Sequence, residues 1–297
     1  MTLNSKTLEL TLPDNFRRDD FIAFHSRDSH SVAERCDEQS VTKAVMHQHQ
    51  PMTLGFHFDQ SSLRVQCEGE NAADFALQSV AETLLGLDQG TAEFEAQFSQ
   101  HPEVGALLQQ RPGLRVPQSA TPFEALLWAI IGQQISVIVA INIRRRLIQA
   151  ANQAAPNNLL AFPDVETVMA LSDERLRETG LSRAKLMAVR ALCDGIASGE
   201  LPLDDWLHKP EAELIYQRLL ALKGIGPWTV NYALLRGFNS LDGSLHGDVA
   251  VRKNLGELLA LNSTPDAKFT EHWLAQFSPW RALMAAHLWA RANAAGY

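Results

Sequence analysis

Apolar and polar residues alternate with a period of two through three stretches of the first seventy residues. Leu8, Leu10 and Leu12 share one face of "TLELTLP". Met52, Leu54, Phe56 and Phe58 do the same in "MTLGFHF", and Leu63, Val65 and Cys67 in "SLRVQC". A half-buried strand has this period because successive side chains point to opposite faces. Between the first two stretches, "FRRDDFIAFHS" reads as a helix. The pattern predicts a small antiparallel sheet carrying one or two helices.

From about Asn71 the pattern turns helical, with breaks at Gly, Pro, Ser and Asp. "TPFEALLWAIIGQQIS" opens on Thr121, a capping residue, followed by Pro122 at the first helical position. "SVIVAINIRRRLIQAA" follows at once as a second helix. Further helices are expected near 164–171, 173–179, 183–198, 210–222, 227–237, 248–260 and 279–295. The fold class is therefore α+β. A mixed domain over 1–85 precedes an all-α region of two lobes over 86–297.

Composition narrows the classes of function. Apolar residues at 46% and charged residues at 20% fit an ordinary folded chain. No apolar run approaches the roughly 20 residues of a membrane span, and "MTLNSKTLELTLPDNF" is not of signal-peptide type. A soluble cytoplasmic monomer is expected. Cys36, Cys67 and Cys193 are too few for an iron–sulfur cluster, which needs four thiolates, and read as buried reduced thiols. The net charge of −8 opposes indiscriminate binding to nucleic acid. A local basic face remains open, from Arg144, Arg145, Arg146, Arg183, Lys185, Arg190, Arg252 and Lys253, or these are solvated helix faces.

"LKGIGPWTVNYALLRGF" carries the chemistry. Two helices, 210–222 and 227–237, flank a "KGIG" turn in which Gly224 and Gly226 can take φ > 0 or let another backbone approach. Pro227 suits the first helical position, and the N–H groups exposed there form an anion site. Trp228 and Tyr232, four apart, share a face. After the loop 239–248, Asp248 reads first as an N-cap, a position that also favours its ionised form.

These residues resemble the helix–hairpin–helix (HhH-GPD) DNA glycosylase superfamily, and within it the 3-methyladenine glycosylase II type. "RPGLRVP", "AIIGQQISV", "GIGPWTVNYALLRGF", "GDVAVRK" and "PWRALMAAHLW" occur in that family's order, over about residues 110 to 290. The resemblance implies an enzyme that flips an alkylated base out of double-stranded DNA and hydrolyses its glycosidic bond. Gly224, Ile225, Gly226 and Thr229 would hold a DNA phosphate, with a monovalent cation shared by the hairpin carbonyls and no tightly bound metal. Trp228, Tyr232, Trp289 and Gln133 would line the base pocket. Asp248 would either stabilise positive charge on the sugar or orient the attacking water. Gln134, where the best-known type has leucine, would fill the gap left by the flipped nucleotide, with Ile135 the alternative. Trp228 stands where strand-cleaving relatives carry a Schiff-base lysine, and Lys223 does not match that position. The implied enzyme is monofunctional.

Three other readings compete. One is a noncatalytic helix–hairpin–helix DNA-binding module, and another a glycosylase for oxidised or deaminated bases. The third is a metalloprotein using His47, His49 and His57, which lacks a fourth ligand. His246 and His287 read as local hydrogen-bonding or core residues.

Overall fold

The computed structural model describes residues 3–59, 62–209 and 211–291. Among them, β1 (Asn4–Thr11), β2 (Glu34–Cys36), β3 (Ser40–His47), β4 (Gln50–Phe58) and β5 (Ser62–Gly69) form one antiparallel sheet in the order β1–β5–β4–β3–β2. Met52, Leu54, Phe56, Phe58, Leu63, Val65 and Cys67 are all buried, as their alternation requires. They pack against Phe21 of α1 (Arg18–His25) and Leu77, Ala81, Leu84 and Leu85 of α2 (Leu77–Leu85). Leu8, Leu10 and Leu12 lie half-buried at the margin of the same core.

β2 and β3 are not marked by alternation: β2 has only three residues, with Arg35 exposed, and β3 is buried on both faces. Val41 and Val45 face the sheet core, while Ala44 packs with Leu159 and Ala161 behind it. Those last two belong to a short excursion, where β6 (Ala154–Ala155) pairs with β7 (Leu159–Leu160). A strand covered on both sides shows no period of two.

The remaining helices are α3 (Thr91–Phe98), α4 (Gly105–Gln110), α5 (Pro122–Gly132), α6 (Val137–Ala151), α7 (Val165–Ala170), α8 (Asp173–Glu178), α9 (Arg183–Ala197), α10 (Leu203–His208), α11 (Ala212–Leu220), α12 (Pro227–Gly237), α13 (Val249–Leu258), α14 (Ala267–Ala275) and α15 (Arg281–Arg291). The expected start at 210 and the stretch beyond 291 lie outside the described residues. Two apolar cores divide this region. One gathers α5 to α12, the other α3, α4 and α13 to α15. α5 and α12 serve both: Leu126, Ile130, Val230 and Leu234 face the first core, Ala129, Tyr232 and Leu235 the second. The two helices thus form the wall between lobes. No helix among the described residues is long and apolar enough to cross a membrane.

A buried four-charge network joins sheet to helices. Lys43 of β3 donates to Glu34 of β2 at 2.7 Å and to Glu124 of α5 at 2.8 Å. Arg144 of α6 donates to Glu34 at 2.6 and 3.0 Å and to Glu124 at 3.0 Å. Burial alone would raise the Glu34 carboxyl, but Arg144 and Lys43 hold it well below the usual carboxylate range.

Arg144 is therefore not part of a basic face. Arg145 is likewise engaged, with Asp28 at 2.6 Å. The Lys185 ammonium is spent on the Ile131 carbonyl at 2.8 Å, and Arg190 on the carbonyls of Val168 and Leu171 and the Asp173 carboxylate. Arg146, Arg183 and Lys253 remain exposed. Cys36, Cys67 and Cys193 are free thiols, and burial pushes Cys36 and Cys193 up to about 12.

Two predictions follow from buried charge. Lys43→Met leaves Glu34 and Glu124 to share Arg144, and is expected to cost about 3–5 kcal/mol in urea unfolding. His25 and His287 are buried, with Nε2 of the first and both ring nitrogens of the second unpaired among the described residues. Burial, then nearby cations, lowers each to about 3. The unfolded chain takes up these protons near pH 6.5 and the folded chain does not. Stability is therefore expected to fall as pH drops below 6.5, by about 3 kcal/mol per unit for the pair. Urea melts at pH 7, 6 and 5 measure the slope, and His287→Leu should halve the histidine contribution.

Candidate active site

The turn between α11 and α12 is tight because Gly224 takes φ +88°, a region that other residues enter at a cost. A Cβ there would also lie 2.9 Å from the Cβ of Ala188 on α9. Gly226 differs from expectation. Its φ is −108°, which any residue adopts, and a Cβ there would meet nothing within 4 Å. No contact among the described residues requires that glycine. Ile225 between them is buried in the first core and anchors the turn.

α12 begins at Pro227 with no side-chain cap from Gly226. The main-chain N–H groups of Trp228 and Thr229 belong to its first turn, where no intrahelical acceptor exists. The Thr229 hydroxyl is not similarly open. It is buried and accepts from Nε2 of Gln133 at 3.0 Å. The same Gln133 nitrogen donates to the Gly224 carbonyl at 3.0 Å. Gln133, expected in the base pocket, ties the end of α5 to the hairpin.

Asp248 caps α13, its Oδ1 accepting from the Val251 N–H at 2.9 Å. The indole of Trp289 donates to the same oxygen at 3.2 Å, and the indole of Trp228 to Oδ2 at 2.9 Å. All three donors are neutral, so they orient the carboxylate without cancelling its charge. The loop before it is pinned at several points. Asn231 of α12 donates to the Ser244 carbonyl at 2.9 Å, and Arg281 pairs with Asp242 at 2.9 Å. His246 lies 2.9 Å from the Ser244 hydroxyl, the local role expected of it.

Trp228 and Tyr232 lie 5.4 Å apart between ring centroids, and Tyr232 and Trp289 6.4 Å apart. The structure thus brings Trp228, Tyr232, Trp289 and Asp248 into one cluster. Trp228 is half-buried, whereas Tyr232 and Trp289 are almost wholly packed. Sequence reasoning missed the charged surroundings of Tyr232. Arg27, after α1, and Arg236 of α12 both lie near its side chain, and the Arg236 guanidinium donates to the Pro117 carbonyl at 2.7 Å. The Arg27 guanidinium lies 4.7 Å over Trp128, and that of Arg236 lies 4.4 Å over Phe24. Burial lowers Arg236 to about 10. No local motif marks these arginines, since one comes from the N-terminal domain and one from inside an apolar helix.

At the α5–α6 junction, Gln134 is exposed with φ +55°. Ile135 is turned inward against the first core. Two exposed residues beside them were also missed, Ile138 and Val139 in the first turn of α6. Their signal lay in "VIVAI", a continuous apolar run on a helix that can bury only one face. The three histidines read as a metal set are dispersed. His57 is exposed at the far end of β4 from His49, about 26 Å along the strand. His47 packs edge-on against Phe75.

The family model for the HhH-GPD superfamily base excision DNA repair protein matches residues 127–279, just over half the chain. The chain belongs to the HhH-GPD superfamily. The match runs from α5 through the hairpin and the Asp248 loop to the approach to α15. DNA-3-methyladenine glycosylase 2 of Escherichia coli (strain K12) is 27% identical over 188 residues, 63% of either chain. DNA-3-methyladenine glycosylase of Bacillus subtilis (strain 168) is 27% identical over 60% of this chain and 59% of its own. The chain thus matches less than two thirds of the length of these curated relatives. Among solved structures, a 3-methyladenine DNA-glycosylase from Archaeoglobus fulgidus superposes with a TM-score of 0.82 at 21% identity, covering 96% of this chain and 98% of its own. That likeness extends the shared fold to the N-terminal sheet domain of this HhH-GPD member.

The two hairpin glycines are expected to separate by substitution. Gly226→Ala should leave stability unchanged or raise it by up to about 1 kcal/mol, through the less flexible unfolded chain. Gly224→Ala should lower it by more than that, from strained φ and the contact with Ala188. Thermal and urea melts of both variants measure the difference.

Proposed function

We propose that this protein is a monofunctional DNA glycosylase that removes alkylated bases of the 3-methyladenine and 7-methylguanine type, leaving an abasic site. The observation that carries the reading is the Asp248 carboxylate, held by two indoles and a helix N-terminus within one aromatic cluster. Such a base must first be rotated out of the stack. As its glycosidic bond lengthens, positive charge develops on the sugar. A fixed carboxylate with neutral hydrogen-bond partners stabilises that charge without reorganising. The second lone pair of Oδ2 could equally orient a water. An alkylated purine is itself a cation, and an aromatic face such as that of half-buried Trp228 attracts it by roughly 0.5–2 kcal/mol.

The uncapped first turn of α12 would receive a backbone phosphate through the main-chain N–H groups of Trp228 and Thr229. The open space at Gly226 is where the strand would pass. A hard monovalent cation fits beside it. The carbonyls of Leu222 and Gly224 each accept one hydrogen bond and keep a second lone pair. Gln134, exposed beside Ile138 and Val139, would enter the gap left in the duplex, while Ile135 is committed to the core. Trp228, at the position a Schiff-base lysine would need, supports hydrolysis without strand cleavage.

Single-turnover excision from alkylated duplex DNA tests the proposal. Asp248→Asn keeps the size of the side chain and an oxygen for the cap but removes the charge. It is expected to lower the rate by about 10²–10³ while folding and DNA binding persist. Product strands should stay full length until alkali is added, and borohydride should trap no protein–DNA adduct. Near-normal excision by Asp248→Asn would remove Asp248 from the chemistry, and a trapped adduct would restore a lyase step.

A further inference from the structure

The tip of the β3–β4 hairpin meets the helical region at a point remote from Asp248 in the chain. His47 and Gln50 close the turn, and Gln48 and His49 occupy its central positions with φ of +49° and +61°. A two-residue turn of this hand suits the twist of the flanking strands. It sets Nδ1 of His49 2.9 Å from Oδ2 of Asp164, which caps α7, and 2.9 Å from Oε2 of Glu166. One ligand atom from each residue lies within 4.8 Å of the other two.

A ring nitrogen carries at most one hydrogen, and it points in one direction in the ring plane. That hydrogen serves one carboxylate well and leaves the other beside a like charge. Asp164 already uses Oδ1 to accept from the N–H of Thr167 at 2.9 Å and its hydroxyl at 2.6 Å, which leaves Oδ2 for His49. A divalent cation would satisfy all three groups together. An imidazole nitrogen with two carboxylate oxygens is a donor set suited to zinc and to its first-row neighbours. Metal–donor bonds of about 2.0–2.2 Å would spread the donors to roughly 3.3 Å apart. The side chains of His49 and Glu166 are 70% and 74% exposed and can adjust by that much. The cluster borders a cavity of about 650 Å³ between hairpin and helices, also lined by His47, Thr121 and Asp204, from which water can complete the coordination.

We propose that His49, Asp164 and Glu166 form a divalent-metal site, selective for zinc-like ions, that clasps the N-terminal hairpin to the helical region. The site shares no residue with the Asp248 cluster and stands apart from the excision reading.

The test uses the full chain, stripped with chelator, dialysed and titrated with zinc chloride by calorimetry at pH 7.5. Cobalt(II) titration, followed by visible absorption, reports nitrogen and oxygen ligation. One equivalent is expected to bind with micromolar Kd, more weakly as pH falls, because the ligands must be deprotonated. His49→Ala and Glu166→Gln, both at exposed side chains, should each weaken binding by more than about tenfold. Zinc should slow amide exchange at residues 47–50 and 164–167 in the parent protein and not in His49→Ala. Absence of saturable binding, or equal binding by the parent and both variants, would overturn the site.

Discussion

The position of the sheet on the helices depends on four charges buried where they meet. Glu34 and Lys43 come from adjacent strands, Glu124 and Arg144 from α5 and α6, and each carboxylate accepts from both cations. Taking four ions out of water is costly, and only mutual pairing with good geometry offsets it. An apolar interface of equal area could bind as well yet tolerate sliding. Bidentate contact from Arg144 to Glu34 does not slide, because each oxygen has its own N–H. The network therefore fixes register between the domains. α1 and Arg27 travel with the sheet, so the same register sets Arg27 against Tyr232 and Trp128.

A second constraint is the double use of Asp248. As the cap of α13 it satisfies a main-chain N–H, and it simultaneously gathers the indoles of Trp228 and Trp289. The two tryptophans come from α12 and α15, so one carboxylate ties together three helices across the inter-lobe wall. An N-cap ordinarily contributes about 1 kcal/mol and is replaceable by Ser, Thr or Asn. With the indoles attached, Ser or Thr would also release both aromatic side chains, whereas Asn keeps the oxygen that Val251 and Trp289 share and loses only the bond from Trp228. Structure and proposed chemistry thus draw on the same oxygens, and Asp248→Asn, which keeps one carbonyl oxygen, is the substitution that separates them best.

Period-two and helical patterns carried most of the architecture. They located β1, β4, β5 and α11, each of which alternates more buried with more exposed positions, whereas α12, buried from Thr229 to Gly237, was marked by the glycines and proline at its start. They failed at β3, which is covered on both faces, and where an element is as short as β2, β6 and β7. Candidate residues followed the same division. Gly224, Trp228, Tyr232 and Asp248 stand at recognisable spacings, and Trp289 within a recognisable motif. The roles of Gln133 and Thr229 were not legible, because their bond to each other joins positions 96 apart in sequence. Arg144 was misplaced for a related reason. "RRR" looks like a charged face, and only the packing of α6 against the sheet shows that its first arginine points inward. The extra glycine, Gly226, was legible as a pattern but not as a cause, since nothing among the described residues explains it.

On the proposed reading, that unexplained glycine bears on how an acidic protein would hold DNA. The net charge is −8, and Arg144, Arg145, Lys185 and Arg190 are consumed by internal partners. Long-range attraction to a polyanion is therefore weak over most of the surface. What the site offers instead is local: uncapped main-chain N–H groups at α12, room at Gly226 for a strand to approach, and exposed Gln134, Ile138 and Val139 beside it. On the proposed reading, phosphate contact through neutral amides releases few counterions per contact compared with lysine or arginine. Binding would then depend on salt less steeply than in proteins that neutralise 6–10 phosphates, for which affinity falls about 10³–10⁵ between 50 and 200 mM salt. A shallow dependence suits a protein that must let go of undamaged duplex, because affinity rests on the flipped nucleotide and the filled gap more than on the backbone of any sequence it meets.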